Sequence, residues 1–246
     1  MSTTSPAPCE FLEWDSNFFG LKIARLGGQR LTPAEWPSVE EWCLSEGIRC
    51  VYFLAAADDA ETIRTAEAHG FGLVDIRVTL DLDIPEVIPD APDVRLFEPA
   101  DAPQLRDIAK VSHRDSRFYF DRSFPADRCD ALYETWIERS TQGWADATLV
   151  AGRPGEACGY LTCHLNSSGA GSIGLVAVGE QQRGRGLGRQ LVDASLSYFR
   201  QNGMERVSVV TQGRNIDSQR LYQRCGFRTR SQLLWFHRWF EAVAAL

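Results

Sequence analysis

Three glycines in six residues, Arg183-Gly184-Arg185-Gly186-Leu187-Gly188, stand between an apolar run, Ile173 to Val178, and an amphipathic segment, Leu187 to Phe199. That order predicts a strand, a tight turn and a helix. Glycines at such a junction let backbone N–H groups converge on a ligand, and the helix dipole favours negative charge there. The chain is therefore expected to hold a phosphate or pyrophosphate at this loop.

Two common phosphate loops do not fit. A nucleoside-triphosphate loop needs Lys followed by Ser or Thr to reach phosphate and metal, and here Gly188 is followed by Arg189-Gln190. A dinucleotide fingerprint needs Gly-x-Gly-x-x-Gly and an acid at the end of the next strand. Here the spacing is Gly184-x-Gly186-x-Gly188, and the next strand is expected to end at Thr211-Gln212.

Composition narrows the class further. The chain has 246 residues, 44% apolar and 24% charged, enough for one large or two small packed domains. No apolar run approaches the ~20 residues of a membrane helix, and Met1 to Pro6 lacks a secretory pattern, so no membrane insertion and a cytoplasmic location are expected. A net charge of −7 argues against a dedicated nucleic-acid binder. The seven cysteines are scattered, with no C-x-x-C pair, and there are only four histidines. Neither a zinc site nor any other metal is expected.

The periodicity divides the chain at a segment rich in proline and acids, residues 83–93, giving a small N-terminal α/β domain over 1–90 and a larger domain over 91–246. In the first, strands are expected at 21–26, 50–54 and 71–82, with helices from after Thr32-Pro33 to Gly47 and at 58–69. In the second, strands are expected at 94–97, 147–151, 158–165, up to 178, 206–211 and 227–236. Its helices are expected at 101–116, 125–141, 187 to about 202, and 215–225, with a turn at Asn166-Ser167-Ser168-Gly169. The chain echoes itself: Ala68-His69-Gly70-Phe71 ends one helix and opens a strand, as Arg224-Cys225-Gly226-Phe227 does. The first domain reads as a degenerate partial copy of the second that lacks the phosphate loop.

Arg183-x-x-Gly186-x-Gly188 after Leu175-Val176-Ala177-Val178, together with Asn215-x-x-Ser218-x-x-Leu221-Tyr222-x-x-Cys225-Gly226-Phe227, resembles the two signatures of the GCN5-related N-acetyltransferases (GNAT). The resemblance implies an α/β fold with a mixed central sheet flanked by helices, and acetyl-CoA as co-substrate. It implies that the N–H groups of Gly184, Arg185, Gly186, Leu187 and Gly188 cradle the pyrophosphate, with Arg183 and Arg185 adding charge. It implies that backbone around Val176 and Val178 pairs with the pantetheine arm. Asn215 caps the following helix or contacts the cofactor arm. Tyr222 is the expected general acid, protonating the departing thiolate or stabilising its charge.

The opening Phe11 to Gly20, Ser116-Arg117-Phe118 and Tyr133 to Glu138 resemble the branch of this family that acetylates a dTDP-linked 4-amino-4,6-dideoxygalactose. The expected acceptor is accordingly the amino group of a nucleotide-linked deoxyamino sugar. Its contacts are expected in residues 113–124, with His113, Arg117 and Tyr119 foremost, because arginines grip diphosphates and aromatic rings stack on bases and sugars. His113, His164 and Glu180 are the candidates for taking the amine proton, beside a water relay. The other readings are acetylation of another small amine or a peptide N-terminus, and an inactive acyl-CoA-binding module. A homodimer is left open.

Overall fold

The computed structural model describes residues 7–167 and 169–241. Met1 to Pro6, read above for secretory signals, and Ser168 of the expected turn lie outside the described residues. The described residues pack as two units, one from 7–77, 120–125 and 232–241, the other from 78–119, 126–167 and 169–231.

The elements of the N-terminal half are β1 (Cys9–Phe11), α1 (Glu13–Phe19), β2 (Ile23–Leu26), α2 (Trp36–Glu46), β3 (Cys50–Ala56), α3 (Ala60–Ala68) and β4 (Gly72–Asp83). There follow β5 (Val94–Leu96), α4 (Ala102–Ser112), α5 (Arg117–Phe120), α6 (Ala126–Arg139), β6 (Ala147–Arg153), β7 (Glu156–Leu165) and β8 (Ala170–Val178). The chain closes with α7 (Leu187–Gln201), β9 (Arg206–Gln212), α8 (Ile216–Arg224) and β10 (Arg228–Trp239).

In the first unit, β2 and β3 run parallel, and β1 and β10 run antiparallel to them on either side. Its core is Ala24, Leu26, Val51 and Phe53 against Trp36, Val39 and Cys43 of α2, with Phe71 and Phe236. In the second, β5, β6, β7 and β8 form an antiparallel run, and β9 then pairs parallel with β8. Leu161, Cys163 and Ile173 of that sheet bury against Leu191, Val192, Leu196 and Phe199, the apolar stripe of α7. In each unit the strand pairing is mixed and helices flank the strands, the α/β fold the sequence led us to expect.

The two helix–Gly–Phe–strand echoes have the same backbone. Gly70 (φ 76°) and Gly226 (φ 95°) take the left-handed conformation. Each following N–H bonds back five residues, Phe71 to Ala66 and Phe227 to Tyr222, both at 3.0 Å. This is the Schellman closure that a C′ glycine allows. Both phenylalanines are buried, and a twelve-residue strand follows each.

The division of the chain differs from the one expected at residue 90. The proline-rich stretch after β4 is not a free linker. Arg200 Nη1 donates to the carbonyls of Pro85 and Glu86, Ile84 N–H donates to Glu205 C=O, and Asp93 and Gln190 exchange hydrogen bonds. Ile84 and Ile88 pack on the second unit's core. The passage between units falls inside β4, and the closing part of β10 belongs to the first unit. The expected helix over 101–116 stops at Ser112, with α5 a separate turn, and β1 and α1 precede the first expected strand.

Candidate functional site

The site lies in the second unit, where two parallel strands come apart. The β8–β9 register begins at Ala170↔Arg206 and ends at Ile173↔Val209. β8 then continues to Val178 and β9 to Gln212 without pairing to one another. The separation coincides with an irregularity on the other edge of β8, between the pairs Cys163↔Ile173 and Leu161↔Val176. There Leu175 N–H donates to Thr162 Oγ1 at 2.8 Å. A stretch of β8 backbone thus faces an open gap, and Val176 and Val178 set their side chains against the core.

The gap leads to the glycine loop. After a 3-10 turn at Glu180–Gln182, Gly184 (φ 76°) and Gly186 (φ 81°) bend the chain into α7. A Cβ at either would meet nothing within 4 Å, so their cost to any other residue is backbone strain. No side chain caps α7, and the first bond into it is Gln190 N–H to Gly186 C=O at 3.1 Å. The N–H groups ahead of that bond, through Leu187 and Gly188, have no acceptor within the helix. Gly188 serves packing: a Cβ there would lie 3.3 Å from Leu221 of α8. Of the two arginines, Arg183 spends its Nε on Val178 C=O (3.2 Å), and Arg185 is exposed.

Asn215 caps α8, its side chain accepting from Ser218 N–H at 3.0 Å. Tyr222, two turns on, is 4% exposed and packs against Phe227 with ring centres 5.8 Å apart. Its hydroxyl has no hydrogen-bond partner among the described residues. Burial raises its pKa above the ordinary tyrosine value, so the phenol is protonated at neutral pH.

Strand alternation separates the two faces of β7. Leu161 and Cys163 face α7, so Tyr160, Thr162 and His164 face the other side, where α4 packs on β7 and α6. His113, just past α4, reaches Tyr160 there: Nε2 and the hydroxyl are 2.9 Å apart, and the imidazole stacks on Tyr133 at 4.4 Å. Burial pulls the His113 pKa down to about 4. The expected acceptor segment is partly occupied with itself. Tyr119 donates to Asp130 (2.8 Å), which also pairs with Arg114, and the Arg117 guanidinium lies 4.3 Å from the Phe118 ring centre. Arg214 Nη1 reaches Asp115 C=O at 3.2 Å, tying this turn to the end of β9. Glu180 is exposed, at the start of the 3-10 turn that follows β8. Sequence reasoning missed Tyr160, which carried no signal beyond a strand position.

Among the described residues, no group of three or more His, Cys, Asp or Glu side chains could hold a metal ion. No helix among them is long and apolar enough to cross a membrane. The seven cysteines carry free thiols.

The family described as Acetyltransferase (GNAT) family matches residues 108–227. The chain is similar to the spore coat polysaccharide biosynthesis protein SpsD of Bacillus subtilis, 26% identical over 142 residues, 58% of this chain and 49% of that protein. It is similar to the mycothiol acetyltransferase of Thermobispora bispora, 28% identical over 176 residues, 65% of this chain and 57% of that protein. The chain thus spans about half the length of these curated relatives. Among solved structures, a GCN5-related N-acetyltransferase from Sphaerobacter thermophilus superposes with a TM-score of 0.66 at 16% identity, covering 94% of this chain and 76% of that one. The matched family, whose model falls on residues 108–227, is one whose members transfer acetyl from acetyl-CoA to amine-bearing substrates.

Proposed function

We propose that this protein is an acetyl-CoA-dependent N-acetyltransferase whose acceptor is the amino group of a nucleotide-linked deoxyamino sugar. The observation that carries the donor half is the parting of β8 and β9 beyond Ile173 and Val209, opening onto the uncapped start of α7. The pantetheine arm lies along the β8 backbone at Val176 and Val178. The N–H groups of Gly184 to Gly188 receive the pyrophosphate, where the helix dipole adds to the attraction. Arg185 supplies charge there and Asn215 keeps α8 in place beside the arm. The bare space over Gly184 and Gly186 fits close approach of such a group.

In the transfer, the neutral amine attacks the thioester carbonyl, the C–N bond forms and the C–S bond breaks. Tyr222 gives its proton to the leaving sulfur. Arg117 grips the diphosphate of the acceptor, and His113 and Tyr119 line its approach. The polysaccharide role in the name of SpsD supports the sugar acceptor. A second reading, an acceptor like that of mycothiol acetyltransferases, is supported by the relative of that name. The reaction belongs in the cytoplasm, where acetyl-CoA is available. The first unit, which repeats the strand–helix–strand–helix–strand order without the loop, is a degenerate copy of the second.

The test has two arms. Acetyl-CoA should raise the thermal unfolding midpoint, and thiol release should be read across dTDP-4-amino-4,6-dideoxy sugars, glucosamine and peptides with a free N-terminus. Absence of protection by acetyl-CoA would overturn the donor assignment. Turnover of peptides but of no amino sugar would overturn the sugar acceptor.

A further inference from the structure

The other face of the β8 gap carries a group that the donor site does not use. Gly174 is exposed and lies one residue beyond the last β8–β9 pair. A Cβ there would fall 2.6 Å from Thr162 Oγ1 and 2.7 Å from His164 Nε2. The imidazole of His164 therefore fills the space a side chain at 174 would take. Beside it stands Trp144, 51% exposed, its ring edge-on to His164 with centres 5.5 Å apart. The Arg139 guanidinium sits 5.6 Å from the Trp144 ring centre. Partial burial lowers the His164 pKa, Asp146 opposing it, so the ring is neutral at neutral pH.

Strand geometry places this group relative to the acyl donor. Val178 to Gly174 is four residues, about 13 Å at the usual rise per strand residue. An arm running along β8 from the glycine loop ends where the gap closes, at Gly174. Tyr222 belongs to the core on the α7 side of the sheet, whereas His164 lies on the opposite side. The thioester would then have a proton donor on one face and a neutral imidazole on the other.

We propose that His164 accepts the proton of the attacking amine and that Trp144 is the platform on which the acceptor's sugar ring stacks. The inference rests on the acetyl-CoA reading above. The amine nitrogen bonds to the acetyl carbon, its proton passes to His164, the C–S bond breaks, and the sulfur takes the Tyr222 proton. Gly174 keeps the imidazole uncovered.

Two nucleophiles of different size test it, D-glucosamine and hydroxylamine, each with acetyl-CoA. His164→Gln should lower kcat with both by about 10²–10⁴, the usual worth of a positioned base. Trp144→Ala should raise the KM for glucosamine at least fivefold and leave hydroxylamine turnover within twofold, with Trp144→Phe recovering most of the loss. Acetyl-CoA should protect both variants from thermal unfolding as it protects the parent. The inference is overturned if His164→Gln keeps its rates within threefold, if Trp144→Ala slows both nucleophiles alike, or if the parent accelerates neither while acetyl-CoA still protects it. Loss of that protection in the parent would instead overturn the donor reading.

Discussion

His113 Nε2 and the Tyr160 hydroxyl sit 2.9 Å apart in the interior between α4, α6 and β7, joining a residue past a helix to one in mid-strand. Tyr160 has no accessible surface, and the His113 ring is stacked on Tyr133. Each polar group is the other's answer to desolvation, and a buried hydroxyl left without its partner costs roughly 1–3 kcal/mol. His113→Phe should therefore destabilise the protein by that amount in urea unfolding. Adding Tyr160→Phe should recover part of it. Simple additivity of the two losses would show that the contact does not couple them.

The same burial gives a pH dependence. The His113 pKa is lowered from 6.5 to about 4 in the folded protein, so the unfolded chain binds this proton more readily. The stability it confers is complete above pH 6.5 and is lost as pH falls toward 4. The unfolding midpoint of the parent should fall more steeply across that window than that of His113→Phe. Superimposable pH profiles of the two proteins would mean that His113 titrates normally.

Tyr222→Phe keeps the ring against Phe227 and removes only the proton. We expect kcat to fall by about 10²-fold, in the range of general acid catalysis, with acetyl-CoA protection against unfolding unchanged. A kcat within twofold of the parent would remove Tyr222 from the chemistry.

What could be read from the sequence follows from how local the cause is. The loop and α7 obey the 3.6-residue period and glycine chemistry, and the expected start at Leu187 is the observed one. The Gly226 closure is equally local. By contrast, the split of β4 between two units, and the recruitment of β10 to the first, are decided by pairing across distant chain, which the period of a strand does not specify. His113 meets Tyr160 across 47 residues. The approach of His164 to Gly174 depends on the local break in β7–β8 register, and a shifted register moves side chains to other partners. β1 and α1 were missed because three and seven residues are too few to show a period.

Gly186 is left-handed, with φ 81° and open space beyond its Cα. Ala there would meet no atom, so its cost is conformational, about 1–2 kcal/mol for an L-residue in this region. Relief of that strain would reshape the loop. Gly186→Ala should raise the acetyl-CoA KM about tenfold with a smaller change in kcat. An unchanged KM would mean that the loop's curvature does not shape the donor site.

Asn215 offers a sharper separation, because its cap is visible and a contact with the cofactor arm is the alternative role that the family resemblance implies. Loss of the bond from Ser218 N–H in Asn215→Ala should cost about 1 kcal/mol, the usual worth of an N-cap. Ser at 215 can still accept that N–H but lacks the amide. If Asn215 also touches the donor arm, Asn215→Ser should restore most of the stability while its acetyl-CoA KM stays raised. If capping is the whole role, stability and KM should recover together, since α8 and Tyr222 would be back in place. Urea unfolding and KM measured on the three proteins decide between the two.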